Sequence, residues 1–254
     1  MSRRTKKEIW VDDRFTFEEG QGEFIFTNKE DNSKHIMEGF EVVKNAKIAL
    51  YDSMMEQEKD QANAKKQAQE RSVEMNLKEL EAVFNKYPSD KKEHGYLPFY
   101  AIHLPSREKK FKLLEIGCDK GYSVRAWREY FPNAEITILD LHNAVPEDLM
   151  QGKNPVEYIQ GDQGNEDLIE YLAAKDFDVV IDDGSHNARH QWLTIEKFTR
   201  PGALVVIEDL HCNTEKFFTH PPMEFDKTPL GQIKSGKFPH AVDLYLEKIA
   251  FIQK

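Results

Sequence analysis

The sequence is short of the features that mark secreted and membrane-embedded proteins. It has two cysteines in 254 residues, Cys118 and Cys212, whereas a disulfide framework in a chain of this size normally uses more. No apolar run approaches the roughly 20 residues that a membrane helix needs. The basic residues 1–7 are followed by a charged segment and not by the apolar core of a signal peptide. We therefore expect a cytoplasmic protein with two reduced thiols.

An excess of basic charge is also missing. The formal net charge is −10, and Lys and Arg alternate with Glu and Asp almost everywhere. Proteins that bind nucleic-acid phosphates normally present a basic face. The densest basic stretch, residues 107–112, is short and leads directly into a strand. With 39% hydrophobic and 31% charged residues, the composition is that of a soluble globular protein without a membrane or nucleic-acid partner.

Residues 1–90 form an N-terminal extension with two kinds of pattern. Two short runs with alternating aromatic residues flank Gly20-Gln21-Gly22, which predicts a β-hairpin. From about Ile36 to Tyr87 the sequence is helical in character, and its central part is almost entirely polar. Apolar side chains at its two ends have helical spacing: Val42, Val43, Ala46, Leu50, Val73, Leu77, Leu80, Val83 and Phe84. A helix this polar either bridges solvent or pairs through a narrow seam, so a dimerisation arm and a simple packing helix both remain open.

Residues 91–254 alternate between strand and helix patterns. Strands are predicted at 111–117, 135–141, 156–159, 178–181 and 203–207, and helices at 122–130, 166–174 and 186–198. This alternation predicts parallel βαβ units with helices on both faces of the sheet. Two further apolar strands, 241–246 and 249–252, are separated only by Glu247-Lys248, so one closing strand must run antiparallel. The sequence thus predicts a Rossmann-like, three-layer α/β methyltransferase fold with a C-terminal antiparallel hairpin, which nucleotide dehydrogenases normally lack.

A glycine loop follows the first strand of this region. The dinucleotide-binding pattern needs three glycines, and counted from Gly117 its second and third places hold Asp119 and Tyr122. What remains is an acid, Glu115, two residues before Gly117, with Gly121 four residues further on. Such a loop suits a ligand without a pyrophosphate, and the acid can meet a cationic group. S-adenosylmethionine carries an ammonium and a sulfonium and no phosphate.

Two more carboxylates stand at the ends of the next two strands. Asp140, about two dozen residues beyond Gly117, can accept hydrogen bonds from both ribose hydroxyls. Asp162 can accept one from an adenine amino group. Taken singly, each feature has a structural explanation, such as a tight turn or a helix cap. Acids at three successive strand ends favour an adenosyl ligand, and we expect S-adenosylmethionine as the cofactor.

Residues 94–254 contain a series of distinctive segments: H-G-Y-L-P-F-Y at 94–100, L-E-I-G at 114–117, Trp127 with Y-F-P-N-A at 130–134, G-D-Q at 161–163, I-D-D-G-S-H at 181–186, and P-G at 201–202 with V-I-E-D-L at 206–210. In these segments the chain resembles the metal-dependent sugar O-methyltransferases of macrolide and rhamnosyl-polyketide biosynthesis. The resemblance implies methyl transfer to a hydroxyl of a sugar or another small molecule. The residues expected to bind the cofactor are Tyr96, Glu115, Gly117, Gly121, Ser123, Asp140, Leu141, Asp162, Gln163 and Asp182.

The resemblance also implies a reaction centre after the fourth and fifth strands. O-methylation requires a hydroxyl to lose its proton, which an imidazole can accept near neutral pH. A hard cation held by carboxylates can acidify the same hydroxyl. The implied roles are His186 as general base with Asp182 as a second catalytic residue, and Asp183 and Asp209 as ligands of a divalent metal such as Mg²⁺.

A structural alternative exists for the same residues. Asp182, Asp183 and Ser185 could cap the helix that starts near Asn187. Capping alone does not require two acids and a histidine beside a second acid pair on the neighbouring strand, which favours the functional interpretation. We expect His211 and His220 at the surface or in a substrate pocket.

Two departures from the family are visible. Ala101 occupies the position where the family has a glutamate that supplies a third metal carboxylate, and His103, two residues on, is a weak candidate to replace it. The segment 212–240 is also shorter than the corresponding segment of the family. We therefore expect a smaller lid at 217–223 and an acceptor smaller than a macrolide.

Two alternative functions remain open. One is a non-catalytic cofactor-binding or scaffolding protein that assembles, as a homo-oligomer, through its N-terminal helices. The other is a dinucleotide oxidoreductase, which would bind NAD.

Overall fold

The computed structural model describes residues 7–11, 15–20, 23–28, 32, 34–38, 40–142, 146–152, 154–215 and 223–254. The chain forms two compact units, Met1–Glu70 and Arg71–Lys254. The domain boundary that the sequence predicts at residue 90 stays a prediction, and residues 71–90 lie within the larger unit. Among the described residues, no helix combines the length and the apolar character needed to cross a membrane.

The smaller unit contains a four-stranded antiparallel sheet and the start of a long helix. Its strands lie in the order of the chain: β1 (Lys7–Val11), β2 (Phe15–Gly20), β3 (Glu23–Asn28) and β4 (Lys34–Glu38). Gly20 pairs with Glu23, which confirms the predicted hairpin. The prediction that the helix begins at about Ile36 is wrong, because Ile36 lies in β4 and pairs with Ile25 of β3. A short strand there gives β3 a partner along its second edge, which outweighs local helix propensity.

One helix, α1 (Phe40–Phe84), follows and continues into the larger unit. The predicted apolar positions between residues 42 and 50 have side chains outside the described set. At the other end, Leu80, Val83 and Phe84 are buried, which confirms the predicted helical spacing there. Phe84 packs edge-to-face on Trp127 with ring centroids 4.8 Å apart, so the end of α1 belongs to the core of the larger unit.

The larger unit is built on a seven-stranded sheet. Its strands are β5 (Lys112–Ile116), β6 (Glu135–Asp140), β7 (Glu157–Gln160), β8 (Val179–Asp182), β9 (Leu204–Ile207), β10 (Ala241–Tyr245) and β11 (Ile249–Gln253). They lie in the order β10-β11-β9-β8-β5-β6-β7. β5 to β9 are parallel, whereas β11 pairs antiparallel with both β9 and β10. The C-terminal antiparallel hairpin is therefore confirmed.

Helices cover both faces of this sheet. They are α2 (Asp90–Glu93), α3 (Leu97–His103), α4 (Tyr122–Tyr130), α5 (Glu166–Ala173), α6 (Ala188–Phe198) and α7 (Pro229–Lys234), with short 3-10 turns at Glu147–Leu149, Leu210–Thr214 and Phe225–Lys227. Successive strand residues point to opposite faces. In β5, Leu113 packs into one core with Trp127, and Leu114 packs into another with Ile195 of α6. The predicted three-layer α/β methyltransferase fold is confirmed.

The strand order reverses beside β5. The chain moves from β5 to β6 and β7 on one side, and then returns to β8 and β9 on the other. In open α/β sheets, ligands bind outside the carboxyl ends of the strands at such a point. The fold therefore places the loops after β5 and β8 at the expected ligand site.

Candidate active site

A cavity of about 700 Å³ lies at the carboxyl ends of β5 to β8, a volume suited to a small-molecule ligand. Several of the residues expected to bind the cofactor line it: Gly117, Ser123, Asp140, Leu141, Asp162 and Gln163. The remaining ones, Tyr96, Glu115, Gly121 and Asp182, are not part of the lining. The structure thus brings most of the expected set to one cavity, and cofactor binding by these residues stays a prediction.

The glycine loop is packed against the loop after β8. Gly117 has a φ of +85°, and a Cβ at this position would lie 2.8 Å from the carbonyl carbon of Asp183 and closer still to its oxygen. The Gly117 N–H donates to the carbonyl of Leu139 at 2.8 Å, which ties the loop to β6 as well. Only glycine satisfies both the conformation and the close approach.

Asp140 and Asp162 both order their own loops. Asp140 accepts hydrogen bonds from the backbone N–H groups of Cys118 and His142, each at 2.8 Å, through its two carboxylate oxygens. Asp162 accepts one from the Gly164 N–H at 2.8 Å. Each carboxylate oxygen has a second lone pair. Both acids can therefore accept further bonds from a ligand while they hold the cavity wall.

The two cysteines are free, as the sequence predicts, and the structure shows that both are buried. Burial, together with the neighbouring Asp140 carboxylate, raises the pKa of the Cys118 thiol to about 12. Burial likewise raises the pKa of Cys212 to about 11. The thiolate is the reactive form, so neither residue has the environment of a nucleophile.

Asp182 is buried beneath the cavity. Its Oδ2 accepts a hydrogen bond from Gln163 Nε2 at 2.6 Å, and Gln163 Oε1 accepts one from the Ser185 N–H at 3.0 Å. Burial raises the pKa of Asp182. These contacts orient Gln163 and join the loops after β7 and β8, and the predicted catalytic role of Asp182 stays a prediction.

Asp183, His186 and Asp209 come together at the end of the cavity. Each offers a ligand atom, and these atoms lie within 4.8 Å of one another. His186 Nε2 is 3.7 Å from Asp209 Oδ2. His186 and Asp209 have φ values of 54° and 53°. Left-handed backbone costs non-glycine residues roughly 1–2 kcal/mol and is concentrated at functional sites.

Asp209 is surrounded by further polar rings. The buried Tyr96 hydroxyl donates to Asp209 Oδ1 at 2.6 Å. The Nδ1 atoms of His94 and His211 lie 3.8 Å and 3.9 Å from the same oxygen. Burial and the hydrogen bond to Asp209 raise the pKa of Tyr96, so it remains a hydrogen-bond donor. Tyr96 thus fixes Asp209, and His211 lies beside the reaction centre.

Lys91 is a central residue that sequence analysis missed. Its side chain is fully buried, and its ammonium lies 2.6 Å from Asp183 Oδ2, 2.8 Å from Glu208 Oε1 and 3.5 Å from Glu115 Oε1. The Tyr100 hydroxyl also donates to Glu208 Oε1. Burial lowers the pKa of Lys91, but attraction to the three carboxylates outweighs it and the pKa lies well above its usual value. Nothing in residue spacing signals this contact.

The acidic cluster around Lys91 contains more carboxyl groups than cations. Among the described side chains, Glu115, Asp183 and Glu208 share this one ammonium. Burial raises the pKa of Glu115 to about 7, and it also raises those of Asp183 and Glu208. Because one cation cannot neutralise three carboxylates, the cluster favours further positive charge nearby.

The glutamate missing at Ala101 is not replaced by His103. Ala101 is buried on α3, and His103 stacks on Phe251 at 4.2 Å with its Nε2 at 2.9 Å from the Tyr245 hydroxyl. Residues two apart on a helix point to nearly opposite sides. His103 therefore supplies no ligand to the group formed by Asp183, His186 and Asp209. The suggestion from the sequence that His103 replaces the missing glutamate is wrong.

His220 and residues 217–222 of the expected lid lie outside the described residues.

Comparisons with known proteins identify relatives of this chain. Mycinamicin VI 2''-O-methyltransferase from Micromonospora griseorubida is 32% identical over 157 residues, 56% of this chain and 38% of that enzyme. Demethylmacrocin O-methyltransferase from Streptomyces fradiae is 30% identical over 196 residues, 63% of this chain and 49% of that enzyme. No family model matches the chain.

A solved structure matches the fold as well. MycE methyltransferase from the mycinamycin biosynthetic pathway, in complex with Mg, SAH and mycinamycin VI, superimposes with a TM-score of 0.59 and 28% identity. The match covers 69% of this chain and 54% of that one. The chain thus spans about half the length, or less, of the relatives it matches. Fold similarity and sequence identity together show that the chain is related to the S-adenosylmethionine-dependent macrolide sugar O-methyltransferases.

Proposed function

We propose that this chain is an S-adenosylmethionine-dependent O-methyltransferase that acts on a hydroxyl of a sugar or another small molecule. The observation that carries the proposal is the position of Asp183 and His186, which line the end of the cavity and lie beside Asp209. A cofactor held by the loops after β5 to β7 would have its reactive end near a base and two carboxylates. That arrangement suits removal of a proton from an acceptor hydroxyl.

The chain's own residues divide the reaction between them. Asp140 and Asp162 would hold the adenosine part of the cofactor. His186 would accept the proton of the acceptor hydroxyl while that oxygen attacks the methyl carbon in line. S-adenosylmethionine bound there would supply the methyl group: its carbon–sulfur bond would break with the electron pair left on sulfur, so that S-adenosylhomocysteine and a methyl ether would be the products. Asp209, fixed by Tyr96, would stabilise the imidazolium that forms.

The ligand atoms of Asp183, His186 and Asp209 also fit a divalent cation such as Mg²⁺. Asp183 and Asp209 would be its carboxylate ligands, which is within the range of one or two carboxylates that Mg²⁺ sites in proteins use. A cation bound there would supply Lewis acidity toward the acceptor oxygen. Because position 101 is alanine, we expect weaker binding than a site with three carboxylates would give.

The acceptor class follows from the relatives and from the chain. The names of the relatives specify mycinamicin VI and demethylmacrocin, and the resemblance to sugar O-methyltransferases makes a sugar hydroxyl the first acceptor to test. The short segment after Cys212 favours a smaller glycoside.

Homo-oligomer formation through residues 1–90 is also proposed, and light scattering of the purified chain will give the number of subunits.

Cofactor binding is tested by calorimetry with S-adenosylhomocysteine and NAD in parallel. We expect binding of the first and no binding of the second, because the glycine loop lacks the pyrophosphate pattern. The reverse result would support the oxidoreductase alternative and overturn the proposal.

Methyl transfer is tested with S-adenosylmethionine and a panel of small glycosides. We expect His186→Ala to lower the rate by about 100-fold or more, the usual contribution of a general base. His240→Ala is the matched control, because His240 packs on Phe238 and does not line the cavity. A wild-type rate that survives His186→Ala removes the base assignment. Cofactor binding without transfer to any acceptor favours the non-catalytic alternative.

A further inference from the structure

We propose that Lys91 is a positioning residue for the methyl-transfer site: its buried ammonium holds Asp183 at the cavity wall and thereby fixes the glycine loop that binds the cofactor. This inference rests on the proposed function, and it assigns a role to a lysine that does not itself line the cavity. The residues just before it, Pro88, Ser89 and Asp90, do line the cavity. Lys91 thus connects one cavity wall to three strand ends behind it.

The contacts of Lys91 are specific. Asp183 Oδ2 accepts a hydrogen bond from the ammonium at 2.6 Å, and Glu208 Oε1 accepts another at 2.8 Å. The Tyr100 hydroxyl donates to the same Glu208 oxygen, so Glu208 is held from two sides. The acid pair after β9 therefore has divided roles. Glu208 faces Lys91, whereas Asp209 faces Tyr96 and His186.

The hold on Asp183 extends to the cofactor loop through backbone contacts. The Asp183 N–H donates to the carbonyl of Ile116 at 2.9 Å, and the Asp183 carbonyl lies against Gly117 so closely that no Cβ fits between them. On the other side, Gly184 packs against the side-chain oxygen of Gln163, which lines the cavity. A displacement of Asp183 would therefore move the loops after β5 and β7 together.

Loss of the ammonium would leave three buried carboxylates close together without a counter-charge. The hydrogen bonds that hold Asp183 and Glu208 would be lost, and repulsion between the carboxyl groups would favour a new side-chain orientation. Asp183 is the partner with side-chain exposure toward the cavity, 21% against 2% or less for Glu115 and Glu208. It is therefore the carboxylate that is free to reorient.

The test measures S-adenosylhomocysteine affinity by calorimetry in Lys91→Met and in the matched control Lys92→Met. Lys92 is the next residue on α2, but its side chain is exposed and pairs with Asn85. We expect Lys91→Met to weaken binding by about tenfold or more, the size of a typical coupling between contacting residues. Lys92→Met should stay within about twofold of wild type.

A mutant cycle with Asp183→Asn separates positioning from general support of the fold. If Lys91 acts through the Asp183 carboxylate, Lys91→Met should weaken binding by less than about threefold in the Asp183→Asn background. An equal loss in both backgrounds would show that Lys91 supports the fold without acting through Asp183. That result, or a Lys91→Met variant with wild-type affinity, would overturn the inference.

A charge-balanced variant covers the case in which Lys91→Met does not fold. Lys91→Met combined with Glu208→Gln leaves the net charge of the cluster as it is in the wild type. We expect this pair to fold, which thermal unfolding will show, and to bind S-adenosylhomocysteine about tenfold more weakly than Glu208→Gln alone. Failure of the balanced pair to fold would mark Lys91 as a folding residue and overturn the inference. Absence of binding in the wild type would instead overturn the proposed function.

Discussion

Replacement of Gly117 by alanine would test whether the glycine loop and the loop after β8 form one unit. Gly117 has a φ of +85°, and an alanine Cβ there would lie 2.8 Å from both the Asp183 carbonyl carbon and the Gly184 Cα. Gly202 provides a matched control. Its φ is +84°, but a Cβ there would meet no described atom within 4 Å.

The two substitutions share one cost and differ in another. Left-handed backbone costs a non-glycine residue about 1–2 kcal/mol, and both variants incur this. Only Gly117→Ala adds a clash with backbone that is hydrogen-bonded to Ile116 at 2.9 Å and cannot rotate away. Overpacking of this kind typically costs about 1–3 kcal/mol more. We therefore expect a loss of about 1–2 kcal/mol in Gly202→Ala and about 2–5 kcal/mol in Gly117→Ala.

The assay combines urea unfolding with calorimetric titration of S-adenosylhomocysteine. Gly117→Ala should weaken binding by more than about tenfold, since the loop must move away from Asp183, whereas Gly202→Ala should bind as the wild type does. Equal stabilities for the two variants would show that the clash is relieved without cost. Unchanged binding by Gly117→Ala would refute the argument that this loop positions the cofactor.

Three further predictions concern the buried polar cluster and the end of α1. The pKa of Glu115 rises from 4.5 to about 7 on folding, so between these pH values the folded state binds the proton more tightly than the unfolded state does. The free energy of unfolding of the wild type should therefore fall by about 3 kcal/mol as the pH rises from 4.5 to about 7. Urea unfolding at pH 5 and pH 8 without divalent ions should show this decrease in the wild type and not in Glu115→Gln. The same decrease in both proteins would exclude Glu115 as its source. Tyr96→Phe removes the hydroxyl bound to Asp209 and should cost about 1–3 kcal/mol and weaken Mn²⁺ binding measured by electron paramagnetic resonance; unaltered Mn²⁺ affinity would separate Tyr96 from the cluster. Leu80→Ala should cost about 2–5 kcal/mol in thermal unfolding, whereas Met75→Ala, at an exposed position, should cost less than about 0.5 kcal/mol; similar losses would contradict the packing of α1.

The sequence predicts the regular elements of the larger unit well because each is specified locally. The amphipathic pattern of residues 122–130 has the same bounds as α4. Two apolar strands with only Glu247-Lys248 between them leave the chain little choice but a hairpin, and β10 and β11 form it. Once parallel strands alternate with helices, the carboxyl ends must share one edge, so Asp140 and Asp162 reach one cavity.

Sequence analysis missed features that the local residue pattern does not specify. β4 is a strand because β3 offers it an edge, and α2 and α3 are too short to give a periodic signal. Lys91 lies 92 residues from Asp183 and 117 from Glu208. In the sequence it is one of several alternating charges and looks like a solvated surface residue. Only the fold, which brings the ends of β5, β8 and β9 together, makes its burial favourable.

Lys91 also changes how the acids of this site are interpreted. The sequence suggests that an acid at a strand end faces the cationic cofactor directly, and it assigns Glu115 that role. In the structure Glu115 lies 3.5 Å from the Lys91 ammonium, and Glu208 is bound to the same group. A positively charged ligand in the cavity would therefore respond to the sum of three carboxylates and one ammonium. Removal of any one acid should thus weaken the attraction for a cation, even where that acid never touches the ligand, and the effect should be smaller the farther the acid lies from the ligand.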